Sequence, residues 1–306
     1  MNKIAAIAAI CSIILVSVIT GFYIADSDKS ENAFALTITD DYGEKVTIPN
    51  NIQRIVSLSP STTEILFAVG LGDKIVGIDE YSDYPEETKG ITKIGSYLTP
   101  NLEIIVSLEP DLVFVSDMTS KDDVENLKEK GLTVIVLAPI TIDEIIQDIR
   151  LVGVVCNNVL EVNNLTDNLD ERINLVTSKT NNSNLDRPRV YIEYFPYWTY
   201  GPGSFGNDLI SMAGGTNIAA STATEYPEIT TEFIVASNPE IIILTIGPMT
   251  STSVEDIITR IGWDSIDAIK NDEIFTIDDN IISRPGPRMV NALERLAEII
   301  HPELFS

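Results

Sequence analysis

The longest regular pattern of apolar and polar positions runs over residues 141–179. Apolar side chains recur at Ile142, Ile145, Ile146, Ile149, Val152 and Val155, the 3.6-residue period of a helix that buries one face. Thr141-Ile142-Asp143-Glu144 opens the run as a capping box, in which the Thr hydroxyl accepts an amide of the first turn and the Glu reaches back to the cap. Cys156-Asn157-Asn158 interrupts the period, which resumes through Val159, Val162, Leu165, Leu169, Ile173 and Val176. On both sides the chain alternates short apolar runs with short amphipathic stretches. The pattern predicts two α/β lobes, residues 36–140 and 181–306, joined by one long helix over 141–180. A helical hairpin inside one large domain is the alternative that the same pattern allows.

In the first half, residues 36–39 and 45–48 flank a Gly-containing turn and read as a hairpin. Strands are expected at 54–58, 74–78, a short run ending at Gly95, 112–115 and 133–137, and helices at 59–69, 102–108 and 121–130. In the second half, strands are expected at 189–194, 241–245 and 274–277, and helices at 207–213, 230–236, 254–260 and 289–300. The segments 195–206, 217–227 and 278–286 read as loops. Strand–helix alternation with short connections argues for a mostly parallel sheet in each lobe, covered on both faces.

The halves also repeat one another. Residues 101–115 read NLEIIVSLEPDLVFV and residues 230–244 read TTEFIVASNPEIIIL, an offset of 129 that aligns Glu103 with Glu232, Val106 with Val235, Pro110 with Pro239 and Asp111 with Glu240. The same helix-to-strand unit is thus expected once per lobe, with a glutamate in the first turn of each helix. Compensation of the helix dipole alone accounts for such a residue at about 0.3–1 kcal/mol.

Composition narrows the function. Twenty basic against 46 acidic side chains give a formal charge of −26 in 306 residues, which repels nucleic acid and anionic lipid. Cys11 and Cys156 are the two cysteines and His301 the one histidine, so no disulfide staple and no histidine-rich metal site is expected. Residues 4–24 carry no charge and are long enough to span a bilayer; Lys3 precedes them and acidic residues follow, which places the rest of the chain outside. Residues 1–35 read as an export signal with a short stalk, retained as a membrane anchor or cleaved, with Ala33-Phe34-Ala35 as a small-x-small cleavage motif. Sequons at Asn164 and Asn181 are compatible with that location. Catalytic motifs are few: Gly203-Ser204-Phe205-Gly206 resembles a nucleophile elbow, but Pro202 stands at its first glycine position. No enzymatic activity is expected.

The loops that leave the strands carry Tyr81, Tyr84, Tyr97, Tyr197, Trp198, Tyr200 and Tyr226. Ligands of open α/β sheets sit at the carboxyl ends of strands, and aromatic rings on loops suit a large flat one. Tyr84 and Tyr200 are expected to cap the lobes' own cores. Arg284, in Ser283-Arg284-Pro285-Gly286-Pro287-Arg288, is the cation of the matching loop, with a salt bridge to a local carboxylate as the alternative role.

RIVSLSPSTTE (54–64), YSDYP (81–85), NLEIIVSLEPDLV (101–113), the Gly214-Gly215-Thr216-Asn217-Ile218 turn and RPGPR (284–288) resemble the substrate-binding proteins of cobalamin and iron-siderophore ABC importers. YSDYP followed by NLE is most similar to the vitamin B12-binding branch, and the resemblance covers the chain from about Leu36 onward. It implies two Rossmann-like lobes, one linking helix, a ligand in the cleft between them and a small closing motion. It implies ligand contacts at Tyr81, Tyr97, Trp198 and Tyr226 and at the loop Asn280, Ile281, Ile282, Ser283 and Arg284. Glu103 and Glu232 match the glutamates that dock on arginines of the permease. Three departures stand out: Asn280 replaces a usual aspartate, Tyr97 and Tyr226 replace tryptophans, and the disulfide of some second lobes is missing. The resemblance implies a monomer that holds no covalent cofactor and passes cobalamin or another corrinoid to an ABC permease with its ATPase, outside the cytoplasm. Ferric siderophores or haem are the alternative ligands, and a surface enzyme or adhesin the more remote reading. Candidate loops that hold Asp79, Glu80, Asp83, Glu225 and Glu228 against Arg284 suit a near-neutral corrinoid better than an anionic ligand.

Overall fold

The computed structural model describes residues 36–181, 185–247, 250 and 252–305. The apolar segment 4–24 with Cys11, the Ala33-Phe34-Ala35 motif and the rest of the Asn181 sequon (Asn182, Ser183) lie outside the described residues.

The first half contains β1 (Thr37–Thr39), β2 (Lys45–Thr47), β3 (Ile55–Leu58), α1 (Pro60–Ala68), β4 (Ile75–Ile78), β5 (Thr92–Lys93), α2 (Leu102–Ser107), β6 (Leu112–Ser116), α3 (Lys121–Glu129), β7 (Val134–Leu137) and α4 (Ile142–Val155). After α5 (Val159–Thr180) come β8 (Arg189–Glu193), α6 (Phe205–Met212), β9 (Thr216–Asn217), α7 (Thr231–Ser237), β10 (Ile241–Ile246), α8 (Val254–Ile258), α9 (Asp267–Lys270), β11 (Ile274–Asp278), α10 (Asp279–Ile282), α11 (Met289–Ile300) and α12 (Pro302–Phe305). β1 and β2 pair as the expected antiparallel hairpin. The larger sheets are parallel throughout, in the orders β5-β4-β3-β6-β7 and β11-β10-β8-β9. The fold is therefore α/β with two Rossmann-like lobes, the second repeating the first without its edge strand.

Central strands bury both faces, so neighbouring residues enter different cores. Val113 and Val115 pack with the α2–α3 layer, whereas Phe114 points to the opposite face. Ile242 and Leu244 likewise join Trp263 and Ile257 on the outer face of the second sheet, and Ile243 turns inward. The inward sides of both sheets meet one continuous core with α4, α5 and α11.

The stretch 141–179 is not one rod. The Thr141–Glu144 capping box is formed as expected, but α4 ends at Cys156 and Asn157 adopts φ 53°, the left-handed region that asparagine tolerates better than most residues. The Asn158 amide donates to the Gly153 carbonyl at 2.8 Å and that of Asn157 to Val154 at 3.3 Å, the two bonds of a Schellman ending. The chain then reverses. A Cβ on Gly153 would lie 2.6 Å from Val162, so this glycine lets the two helices touch, and Arg150 reaches Asp170 at 2.8 Å. α4 lies against α1, whereas α5, 22 residues long, leads into the second lobe along α11, to which Arg172–Glu294 ties it. The linking helix is α5 alone. Among the described residues no helix is long and apolar enough to cross a membrane.

Candidate functional site

The first lobe shapes its side of the cleft with tight turns. Ser59 alone connects β3 to α1, and Thr63 donates to Ser57 Oγ at 2.9 Å and shares a hydroxyl contact with Ser82 at 2.8 Å. Asp79, fully buried after β4, accepts from the Tyr81 amide at 2.8 Å and from the Ser82 hydroxyl. Burial pushes its carboxyl above the usual range, and those two bonds oppose the shift. Lys93 donates to the carbonyls of Asp79 and Ser82 at 3.1 and 2.6 Å, which pins the loop. The 96–99 turn closes over Gly95, whose φ is 86° and whose missing Cβ would meet the Thr99 carbonyl at 2.7 Å. Together these turns bring the Tyr81 and Tyr97 rings to 5.4 Å, tilted by 53°.

From the second lobe, the segment expected as a loop begins as the short helix α10, capped by Asp278, which accepts from the Asn280 amide at 2.9 Å. Its geometry divides the expected contact set. Ile282 is fully buried in the core and Ile281 packs against it, because a helical turn sends these apolar side chains inward; neither faces the cleft. Asn280, Ser283 and Arg284 face outward and line a cavity of about 430 Å³ together with Tyr81 and Tyr97.

Arg284 is not a free cation. It donates to Glu64 at 3.1 Å, Asp83 at 2.7 Å and the Tyr81 carbonyl at 3.3 Å, all in the first lobe. Arg288 grips the same Glu64 at 2.8 and 2.6 Å and stacks over the Tyr84 ring at 4.1 Å. Glu64 is 3% exposed, so one buried carboxylate on α1 holds two guanidinium groups from the opposite lobe. Glu64 was absent from the expected site, and Tyr84, 47% exposed, serves this latch instead of capping a core. The cavity walls carry four carboxylates (Glu80, Asp83, Asp117 and Asp279) against the ion-paired Arg284.

The aromatic loop after β8 sorts its rings by burial. Tyr200 is buried, capping a core as expected, with its hydroxyl 3.2 Å from Ser283 Oγ. Tyr197 belongs to a second buried cluster that sequence reading missed. Glu193, 1% exposed, takes Arg260 at 2.6 and 2.8 Å and the Tyr191 hydroxyl at 2.7 Å, while Arg260 stacks over Tyr197 and Trp263 at 4.5 and 4.6 Å. Trp198 is half-buried and pairs its backbone with Phe195 and Glu228. Tyr226, 44% exposed, packs edge-on to Tyr194 and Tyr200; the part of it shielded from water, then the charge of Asp117 in the first lobe, pushes its phenol up to about 12. Trp198 and Tyr226 are not among the residues lining the 430 Å³ cavity, although the charge of Asp117, which does line it, reaches Tyr226.

Glu103 and Glu232 are exposed at the second position of α2 and α7, whose caps Asn101 and Thr230 accept equivalent amides. Ser204 caps α6 and donates to the Gly201 carbonyl at 2.8 Å, and His301 sits 3.2 Å from the Gly214 carbonyl, so each is occupied by a structural partner. No group of three or more metal-ligating side chains is arranged for a metal ion among the described residues.

Residues 55–281 match the family described as "Periplasmic binding protein". An uncharacterised ABC transporter substrate-binding lipoprotein of Bacillus subtilis, YvrC, is 33% identical over 90% of this chain and 89% of its own. Among solved structures, the periplasmic vitamin B12-binding protein BtuF of Vibrio cholerae is 26% identical, with a TM-score of 0.72 over 83% of this chain and 98% of its own. The periplasmic heme-binding protein RhuT of Roseiflexus is 25% identical, with a TM-score of 0.74 over 83% of this chain and all of its own (100%). Two parallel-sheet lobes, a cleft closed by loops from both and this agreement along most of the chain lead to one conclusion: the chain belongs to the periplasmic binding protein family, the substrate-binding proteins of ABC transport.

Proposed function

We propose that this protein captures a corrinoid of the cobalamin type in its interlobe cleft, outside the cytoplasm, and hands it to an ABC permease. The observation that carries the reading is the charge of the cleft: among the described residues four carboxylates line it, and the one guanidinium there is already held by Glu64 and Asp83. Haem propionates and many ferric siderophores bring negative charge and need a free cation. A corrinoid presents a flat macrocycle and amide side chains, which suit the Tyr81–Tyr97 pair and the polar groups of Ser59, Asn280 and Ser283. The B12-binding relative supports this choice, and the heme-binding one supplies the runner-up.

Equilibrium dialysis of the purified full-length chain against cyanocobalamin, haem and a ferric siderophore tests the ligand. Retention of cyanocobalamin alone is expected; retention of haem or the siderophore without it would reverse the assignment. The exposed glutamates at equivalent helix starts are proposed to dock on cationic groups of the permease, and the residues before Leu36 to tether the protein to the membrane. Replacing both Glu103 and Glu232 by Arg is expected to abolish uptake and leave corrinoid binding intact; undiminished uptake would remove the docking role.

A further inference from the structure

The cleft carries more negative charge than a neutral ligand needs. Among the described residues, the exposed side chains of Glu80 and Asp117 line the cavity without a hydrogen bond or ion pair, and Asp279 takes only the Ser283 hydroxyl, at 2.5 Å. Arg284, the one cation of the wall among the described residues, is turned toward Glu64 and Asp83. The negative charges come from both lobes, Glu80, Asp83 and Asp117 from the first and Asp279 from the second, so a ligand between them meets the field from two sides.

We infer that the cleft selects corrinoids of net positive charge, those whose cobalt carries water rather than cyanide, over neutral corrinoids of the same size. This rests on the corrinoid reading above and specifies which members of that class are preferred. Cyanocobalamin and aquacobalamin share the macrocycle and nucleotide arm and differ by one unit of charge at the upper axial position. Uncompensated carboxylates around a bound cobalt complex act on that difference through space, and the effect fades as salt screens it. Direct coordination does not confuse the comparison at the described histidine or thiol, because His301 and Cys156 are both buried away from the cavity.

The test measures the dissociation constants of aquacobalamin and cyanocobalamin for the full-length chain at 10 mM and 150 mM salt, below the pH at which the axial water deprotonates. A preference for aquacobalamin of about tenfold at low salt, falling to about twofold at 150 mM, is expected. In the double variant Glu80→Gln, Asp117→Asn the ratio is expected to move toward one. Equal affinities at low salt would overturn the inference. So would a preference that ignores both salt and the double variant, because the carboxylates would then not be its source. Binding of neither corrinoid would instead overturn the corrinoid reading itself, which separates the two failures.

Discussion

The two lobes use the same local construction and differ where they reach the cleft. In each, the first strand of the parallel sheet is entered through an arginine, Arg54 just before β3 and Arg189 at the start of β8, whose Nε donates to the carbonyl of a left-handed residue just before a proline: Arg54 to Glu109 at 3.2 Å and Arg189 to Asn238 at 2.8 Å, both acceptors at φ 44°. In each, an acid after that proline, Asp111 or Glu240, accepts the strand's opening amide. Ser120 and Ser253 cap α3 and α8 in the same way, each with an aspartate at the third helical position. The connection after the first strand differs: Ser59 alone in the first lobe, residues 194–204 in the second. The short turn delivers Glu64 to the interlobe face, and the long loop supplies aromatic surface. The scaffold is duplicated, whereas the cleft is made of what was not.

The comparison can be broken most severely at Glu64, which serves both lobes. Glu64→Ala leaves Arg284 and Arg288 without their shared carboxylate and is expected to cost about 3–5 kcal/mol in urea unfolding. A loss below about 1 kcal/mol would mean that the latch does not hold the lobes.

Asp148 on α4 is 4% exposed, has one unpaired carboxylate oxygen and lies near Asp41 and Glu144. Burial, then the charge of Asp41, pushes its pKa up to about 8 from 3.8. Because the folded value lies above the unfolded one, its contribution to stability is full below about pH 4 and is lost as pH rises through about 8. Asp148→Asn is expected to flatten that part of the stability–pH curve and to gain about 3 kcal/mol relative to the parent at pH 8.5. An unchanged slope in thermal or urea melts between pH 4 and 8.5 would contradict it.

Removing Tyr81 and Tyr97 together is expected to weaken corrinoid binding about 100-fold, and removing Trp198 or Tyr226, outside the cavity lining, less than tenfold each. The reverse order in calorimetry would move the ligand toward the second lobe. The smallest effect sharpens the duplication itself. Asp111 accepts from two amides, those of Gln53 and Arg54, and Glu240 from one, that of Arg189. Asp111→Ala is expected to cost about 2 kcal/mol and Glu240→Ala about 1 kcal/mol in urea melts; the opposite ranking would show that equivalent positions do not carry equivalent loads.

Elements set by local signals were legible in the sequence. The Thr141 box, the helix over 289–300 and the main strand runs all fall where period and caps place them. The interruption at Cys156–Asn158 was visible too, but the reversal there depends on Asn157 in the left-handed region and on Gly153 meeting Val162, which tertiary contact decides. The site was legible in part. Tyr81 and Tyr97 stand out as aromatics on loops, yet Arg284 is neutralised by Glu64, 220 residues earlier in the chain, which no spacing rule reveals. Ile281 and Ile282 entered the expected site because the resemblance implied the whole segment 280–284 as a binding loop, and the single turn of α10 is too short to announce itself by period. The Glu193–Arg260 pair joins residues 67 apart in the chain, which no local pattern reveals.

The most direct measurement is calorimetric titration of the full-length chain with cyanocobalamin. The account predicts a one-site isotherm with a dissociation constant in the micromolar range or tighter. A flat trace at saturating corrinoid, with a one-site response to a ferric siderophore or haem, would contradict it.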